Sequence, residues 1–431
     1  MNTEAEPKKL RWAYLPECEA LAAGWSAKKF TDSCNVIAGQ SPPSETYNEK
    51  GEGLPFLQGN GDFSDKYPMP KSWCTAPVKI AETSDTLISV RAPVGEVNRA
   101  DRQYAIGRGL AAIRATSANA DFIYYGLQRW RWSLQRVAQG TTFDAVTARH
   151  FSQLLVALPD GTDEQAAIAR VLDAVDAAID RAREAATQAA EVKRALAQGL
   201  FSKGTRGEPQ KKTSVGFIPK SWDVKPVNAV VTNFEYGLSL PMHLKGATPI
   251  LRMGNIQQGD VVMDELKYVT LSETLLERYS LKRGDVLFNR TNSQEWVGKI
   301  GIYRTDAPAV FASYLIRLHP DTEQVDNYYL GQLLNSYDAQ CRIKRFATPG
   351  VQQVNINAKN LGKVMIPVPV GNTGLEEQRE IAALLEAADA HSRSYAQVIV
   401  ALQQLKKSLM HDLLTGSVRV DPALFQQEAA P

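Results

Sequence analysis

Five histidines, four cysteines and 47 acidic residues are the raw material for catalysis in this 431-residue chain, and their spacing assembles none of the usual sites. His150, His243, His319, His391 and His411 are dispersed, with no His-Glu-x-x-His pair for a zinc protease. Cys18, Cys34, Cys74 and Cys341 stand far apart and form no Cys-x-x-Cys pair. That spacing argues against a zinc ribbon or a disulfide framework and for free thiols in a reducing cytoplasm. Ser41-Pro42-Pro43-Ser44 has the prolines of an amino-methyltransferase loop without its flanking amide and aromatic groups. Gly107-Arg108-Gly109-Leu110-Ala111-Ala112 imitates half of a dinucleotide fingerprint, but no βαβ unit supports it, and a strand–turn fits better. Glu265-Leu266-Lys267 resembles the end of a metal-nuclease motif whose upstream aspartate is missing, and reads as a solvated strand edge. The expectation is a chain with no catalytic residue, no metal site and no cofactor of its own.

A second inventory is polar and sits in loops. Gln40 and Ser41, Gln58 and Asn60, Arg91, and Gly140-Thr141-Thr142 punctuate the first half. Ser239, Arg252 and Asn255, the run Asn289-Arg290-Thr291-Asn292, and Gln352-Gln353 punctuate the second. Arginine pairs bidentately with guanine edges, Asn and Gln with adenine edges, and Ser or Thr serve base or phosphate. Asn, Gly, Ser and Thr are also the ordinary residues of turns. What favours recognition is that such sets recur at matching places in both halves of the chain.

The elements that position them are written twice. Trp25 recurs as Trp222, and Pro55-Phe56-Leu57-Gln58-Gly59-Asn60 as Pro249-Ile250-Leu251-Arg252-Met253-Gly254-Asn255. Asp85-Thr86-Leu87-Ile88-Ser89-Val90-Arg91 recurs as Asp285-Val286-Leu287-Phe288-Asn289-Arg290, and Tyr124-Tyr125 as Tyr328-Tyr329. Pro159 followed by Glu164-Gln165 recurs as Pro369 followed by Glu377-Gln378. Five matches in one order mark an internal repeat. Each copy reads as short strands and turns, then a last strand closed by proline, then one long helix. Thr162-Asp163-Glu164-Gln165 and Thr373-Gly374-Leu375-Glu376 read as capping boxes that start those helices.

After the first box, Leu172, Val175, Ile179, Leu196 and Leu200 fall on a helical stripe. After the second come Leu384, Leu385, Val398, Leu402, Leu405 and Leu409. Stripes of roughly forty residues need a partner, and each helix is the obvious partner of the other. An antiparallel coiled coil follows. Charge is unevenly spread: the two globular stretches are neutral to basic and the two helical ones acidic, so that the net charge is only +2.

With those residues in view, the chain resembles the specificity subunit of a type I restriction-modification system. The resemblance rests on the duplicated order, on Gly24-Trp25 and Ser221-Trp222, and on the turns Gly39-Gln40-Ser41-Pro42 and Gly237-Leu238-Ser239-Leu240-Pro241. Gly254-Asn255-Ile256, Gly284-Asp285-Val286-Leu287-Phe288-Asn289-Arg290 and the two Pro…Glu-Gln entries complete it. It implies an α+β chain with two similar target recognition domains of mixed strands and short helices, joined by the antiparallel helix pair with a pseudo-twofold internal repeat. The expected divisions are an N-terminal extension at 1–20, recognition domains at 21–160 and 204–371, helices at 161–203 and 372–417, and a tail at 418–431.

Each domain would read one half of a bipartite double-stranded DNA site, and the helices would act as a rigid spacer between the halves. Partners would be two methyltransferase subunits carrying S-adenosylmethionine, and restriction-translocase subunits using ATP and Mg. With no apolar run long enough for a membrane helix and no apolar stretch behind the N-terminal lysines, the expected location is the cytoplasm, away from any membrane. A competing expectation keeps the architecture but has the loops bind protein, making the chain a two-headed scaffold.

Overall fold

The computed structural model describes residues 21–138, 145–350 and 353–425, so Thr141, Thr142 and Gln352 lie outside the described residues. The chain divides into two compact units, one formed by residues up to Ala182 and from Val398 onward, the other by Arg183–Gln397. Two long helices, Thr162–Lys203 and Gly374–Leu414, change units along their length. Each unit therefore holds a globular part, the start of the helix that follows it, and the end of the other helix.

In the first unit a four-stranded antiparallel sheet runs in the order Cys34–Ala38, Leu110–Ala115, Thr86–Ser89, Val97–Arg99. A five-stranded sheet lies beside it in the order Tyr47–Asn48, Ser72–Cys74, Leu54–Leu57, Tyr104–Ile106, Ile80–Ala81. In the second unit Val231–Tyr236, Leu315–Pro320, Val286–Asn289 and Ile300–Ile302 repeat the first sheet and extend it with Asp260–Val261 and Ile256–Gln257. Lys267–Val269, Thr248–Leu251 and Val310–Phe311 repeat part of the second sheet, including its one parallel pairing. A two-stranded ribbon closes each unit, Trp25–Lys29 with Leu155–Pro159 and Trp222–Pro226 with Met365–Pro369. These are the two proline-closed last strands read from the sequence.

Hydrogen bonds fix the repeat more sharply than sequence matching did, and move two of its alignments. Asn119 and Asp326 start equivalent helices, because the backbone N–H of each donates to the long-helix glutamine, Gln165 or Gln378, at 2.8 Å. Phe122 then matches Tyr329, each edge-on to its unit's tryptophan, Trp25 or Trp222. Tyr124-Tyr125 and Tyr328-Tyr329 are therefore a coincidence one helical turn out of step. Likewise Asn255 corresponds to Asp62 rather than Asn60: Gln58 N–H donates to Asp62 at 2.8 Å, and Arg252 N–H to Asn255 Oδ1 at 2.9 Å.

The capping-box expectation is also corrected. Gln165 does not fold back over the first helical turn, and Gln378, two residues beyond the second expected box, makes the same bonds as Gln165. Each amide donates to the carbonyl of the strand-closing proline, Pro159 or Pro369, and accepts from the residue that opens the helix Ala120–Ala138 or Asn327–Asn335, tying three elements together. A buried amide with both a donor and an acceptor suits such a junction, where leaving either unmet costs about 1–3 kcal/mol.

The helices pair antiparallel within each unit. Asp176 holds Lys406 at 2.7 Å in the first unit, and Asp389 holds Lys193 in the second. Asp176 and Lys193 are spaced along one helix as Asp389 and Lys406 are along the other, so each unit repeats the same pairing. Of the expected stripe, Leu172, Val175, Ile179, Leu200 and Leu385 are buried in the unit cores. Leu196, Leu402 and Leu409 are half-buried, while Leu384, Val398 and Leu405 stay nearly half exposed. A two-helix pair covers only one seam of each helix, and residues off that seam face solvent.

Candidate nucleic-acid interface

In the second unit the polar residues gather where the strand Val286–Asn289 ends. Asn289 is the last residue inside: it is fully buried, and its amide donates to Met253 O at 3.3 Å. Arg290 is the first residue to emerge. Its guanidinium donates to Ser313 O and to Asn355 Oδ1, both at 3.2 Å, and lies 5.1 Å from the Tyr236 ring centroid. Stacking on the ring orients the planar fork without using up its donors. Thr291 and Asn292 then pair with Asn355 and Val354, which turn back against Thr348–Pro349 to make a small three-stranded sheet. Gln353 is exposed at its turn, where Gly350 N–H donates to Gln353 O at 2.7 Å.

Tyr236 is held from behind. Its neighbour Glu235 accepts from Arg317 at 2.6 Å and from Arg278 at 3.1 Å. Burial pushes the Glu235 carboxyl up, and those bonds more than offset it, leaving it below the usual glutamate range. Gly237 follows because only glycine fits: a Cβ there would sit 2.4 Å from the carbonyl oxygens of Phe311 and Ala312. Gly39 makes the same close approach in the first unit, against Gly107 O. After these glycines Gln40 and Ser239 are exposed and Ser41 is half-buried.

The first unit builds the strand end differently. Val146 N–H donates to Val90 O as Ile356 N–H does to Arg290 O, so Val90, not Arg91, occupies the place of Arg290. Arg91 is exposed one residue further on. Gln58 is exposed and Asn60 half-buried in the turn that Asp62 holds. In the second unit Arg252 donates to Glu265 O at 2.9 Å, and Asn255 is 3% exposed with its amide on Val262 O and Asp264 O. Asn255 and Asn289 thus hold turns from within.

Three groups at this surface escaped the sequence reading: Tyr236, Asn355 and a basic cluster of Lys299, Arg342, Lys344 and Arg345. The run Val351-Gln352-Gln353-Val354-Asn355 was a visible polar signal for Asn355. Tyr236 carried none, because an aromatic in a strand reads as core. Among the described residues no group of three or more His, Cys, Asp or Glu could hold a metal ion, and no helix is long and apolar enough to cross a membrane.

Comparison with known proteins accounts for this architecture. Among relatives, a Methanocaldococcus jannaschii sequence assigned as a type I restriction enzyme MjaX specificity subunit is 40% identical over 39% of this chain, a match covering 40% of that relative. The type I restriction enzyme MjaVIII specificity subunit of the same organism is 26% identical over 69% of this chain and 70% of its own length. The crystal structure of a type I restriction-modification system S subunit from M. genitalium has the same fold, with a TM-score of 0.58 over 92% of this chain and 98% of that one at 15% identity. The type I restriction modification DNA specificity domain matches twice, at residues 23–189 and 238–404, and the chain therefore belongs to that family.

Proposed function

We propose that the chain is the DNA-recognition subunit of a type I restriction-modification complex, each unit reading one half of a bipartite double-stranded site. The observation that carries this reading is the duplicated strand end with its polar loops, presented on a rigid sheet as groove readout requires. In the second unit it offers an arginine stacked on tyrosine beside Thr291, Asn292 and Gln353. The chain contributes recognition without catalysis. Modification subunits supply S-adenosylmethionine and adenine methylation, and restriction-translocase subunits supply ATP- and Mg-dependent cleavage.

The exposed apolar residues of the second helix, Leu384, Val398, Val400 and Leu405, support docking of protein partners along it. They also favour the scaffold reading, so one experiment must separate the two. The chain is co-expressed with a type I methyltransferase subunit, and methylated adenines are mapped. The recognition reading expects one bipartite motif that disappears when this chain is omitted. A complex that methylates without sequence preference supports the scaffold instead.

A further inference from the structure

Beside the emerging loop, two elements distant in sequence bring four cations together. Lys299 sits across from the buried strand end, with Asn289 N–H donating to Lys299 O at 2.8 Å. The helix Tyr337–Lys344 packs against the same turn: Gln340 donates to Gly298 O at 2.7 Å, and Lys344 Nζ to Glu295 O at 2.9 Å. Arg342 lies on that helix and Arg345 caps it. Among the described residues none of the four is joined to a carboxylate in an ion pair, although Glu295 and Asp338 are near enough to be felt. Arg342 Nε is buried with no hydrogen-bond partner among the described residues.

Three of these cations have an ordinary explanation, since Lys and Arg at a helix C-terminus complement its dipole. Lys299 does not. It belongs to another element, and burial together with the Lys344 ammonium holds its own ammonium below the usual lysine range. Placing two lysines against each other costs stability unless an anion joins them. Arg345 is exposed, and Trp296, three residues before Lys299, is 41% exposed, so the patch is open to a large ligand.

We propose that Lys299, Arg342, Lys344 and Arg345 form a clamp on the phosphodiester backbone of double-stranded DNA, next to the loop that reads bases. The proposal rests on the DNA-recognition reading and adds to it a site that fixes register without choosing sequence. Lys299 and Lys344 share one phosphate, which relieves their mutual repulsion. Arg342 and Arg345 engage its neighbour.

The test uses the complex of the chain with its modification subunits. Affinity is measured from 50 to 200 mM salt for a duplex bearing the mapped target and for a scrambled duplex, with Lys299→Gln/Lys344→Gln and Lys299→Arg/Lys344→Arg variants. Loss of the one phosphate that Lys299 and Lys344 share should flatten the dependence of log K on log salt by roughly 0.9. The affinity lost between those two salt concentrations then shrinks by roughly three- to fourfold. The loss is equal on both duplexes, the methylated sequence is unchanged, and the arginine variant keeps the wild-type slope and melting temperature.

An unchanged slope in a folded glutamine variant overturns the clamp. So does a relaxed base preference, which would make these residues base readers. Dissociation of the modification subunits with the DNA slope intact also overturns it, in favour of an acidic protein surface as the ligand. If the wild-type complex does not distinguish target from scrambled duplex, the recognition reading fails, while the slope still decides the clamp.

Discussion

A guanidinium carries five N–H donors, and Arg290 gives two of them to Ser313 O and Asn355 Oδ1. The guanidinium carbon lies over the Tyr236 ring, and the Nη1 and Nη2 hydrogens not used in those bonds are the donors left for a base edge. Arg290→Ala should cost about 1–3 kcal/mol in binding and relax one base position in one half-site. Arg290→Lys should recover charge but not discrimination, because an ammonium lacks the fork. Methylation mapping of both variants checks this, and equal relaxation of both halves would sink it. Asn255 should behave in the opposite way. Its side chain makes three bonds to the turn's own backbone, so Asn255→Ala should lower stability by about 1–3 kcal/mol and leave the recognised sequence alone. A thermal melt read beside the methylation map separates the two effects. Residue type was legible in the sequence here and burial was not: Asn255, Asn289 and Asn292 carry the same amide, and only the sheet decides which of them faces out.

Between residue and molecule stand the acids of the long helices. Asp173 and Asp176 of the first correspond to Glu386 and Asp389 of the second, and each pair grips its own globular part. Tyr125 Oη donates to Asp173 and Asp176 at 2.8 Å, while Gln332 donates to Glu386 at 3.0 Å and Asp389 at 2.5 Å. Asp176 and Asp389 also hold the opposite long helix through Lys406 and Lys193. One acid pair thus fastens three elements. Burial pushes the Asp173 carboxyl up, but the bond from Tyr125 and the charges of Arg99 and Lys66 outweigh it and leave it below the usual aspartate range. A carboxyl depressed on folding stabilises fully above its unfolded value near pH 4, and loses that contribution as pH falls through the folded value. Asp173→Asn should therefore cost about 1–2 kcal/mol at neutral pH. The gap to wild type should close as the medium is acidified below about pH 4, and a melting series from pH 7 downward reads it. A gap that stays constant with pH would mean that Asp173 acts through packing alone. The helices themselves were legible from their apolar stripes. Their acids were not, because Tyr125 and Gln332 look unrelated until the fold sets them on the same helical position.

Across the whole molecule, chain order and unit order differ. The first unit needs residues from Val398 onward: Leu413 and Leu414 enter its core, and Arg419 donates to Glu164 at 2.5 Å. The repeat made two domains legible in the sequence, but a linear reading with boundaries at 21–160 and 161–203 could not show that the far end of the chain completes the first. This shapes the exchange of residues 21–160 for the matching stretch of a relative. The hybrid keeps Asp173, Asp176 and Gln165 on the helix and Arg419 on the tail, and the incoming domain must meet them. A donor with Tyr or Gln at the place of Tyr125, and a helix start that offers its N–H to Gln165 as Asn119 does, satisfies Asp173, Asp176 and Gln165, while Arg419 keeps Glu164 on the retained helix. An apolar residue at the place of Tyr125 leaves two helix carboxylates short of a donor and should cost about 1–3 kcal/mol. The matched hybrid should fold with its helix pairing unchanged, adopt the donor's first half-site, and methylate with the original second half. Methylation mapping of the hybrid complex decides it, because a stable hybrid in which both halves change together would show that the two units do not read independently.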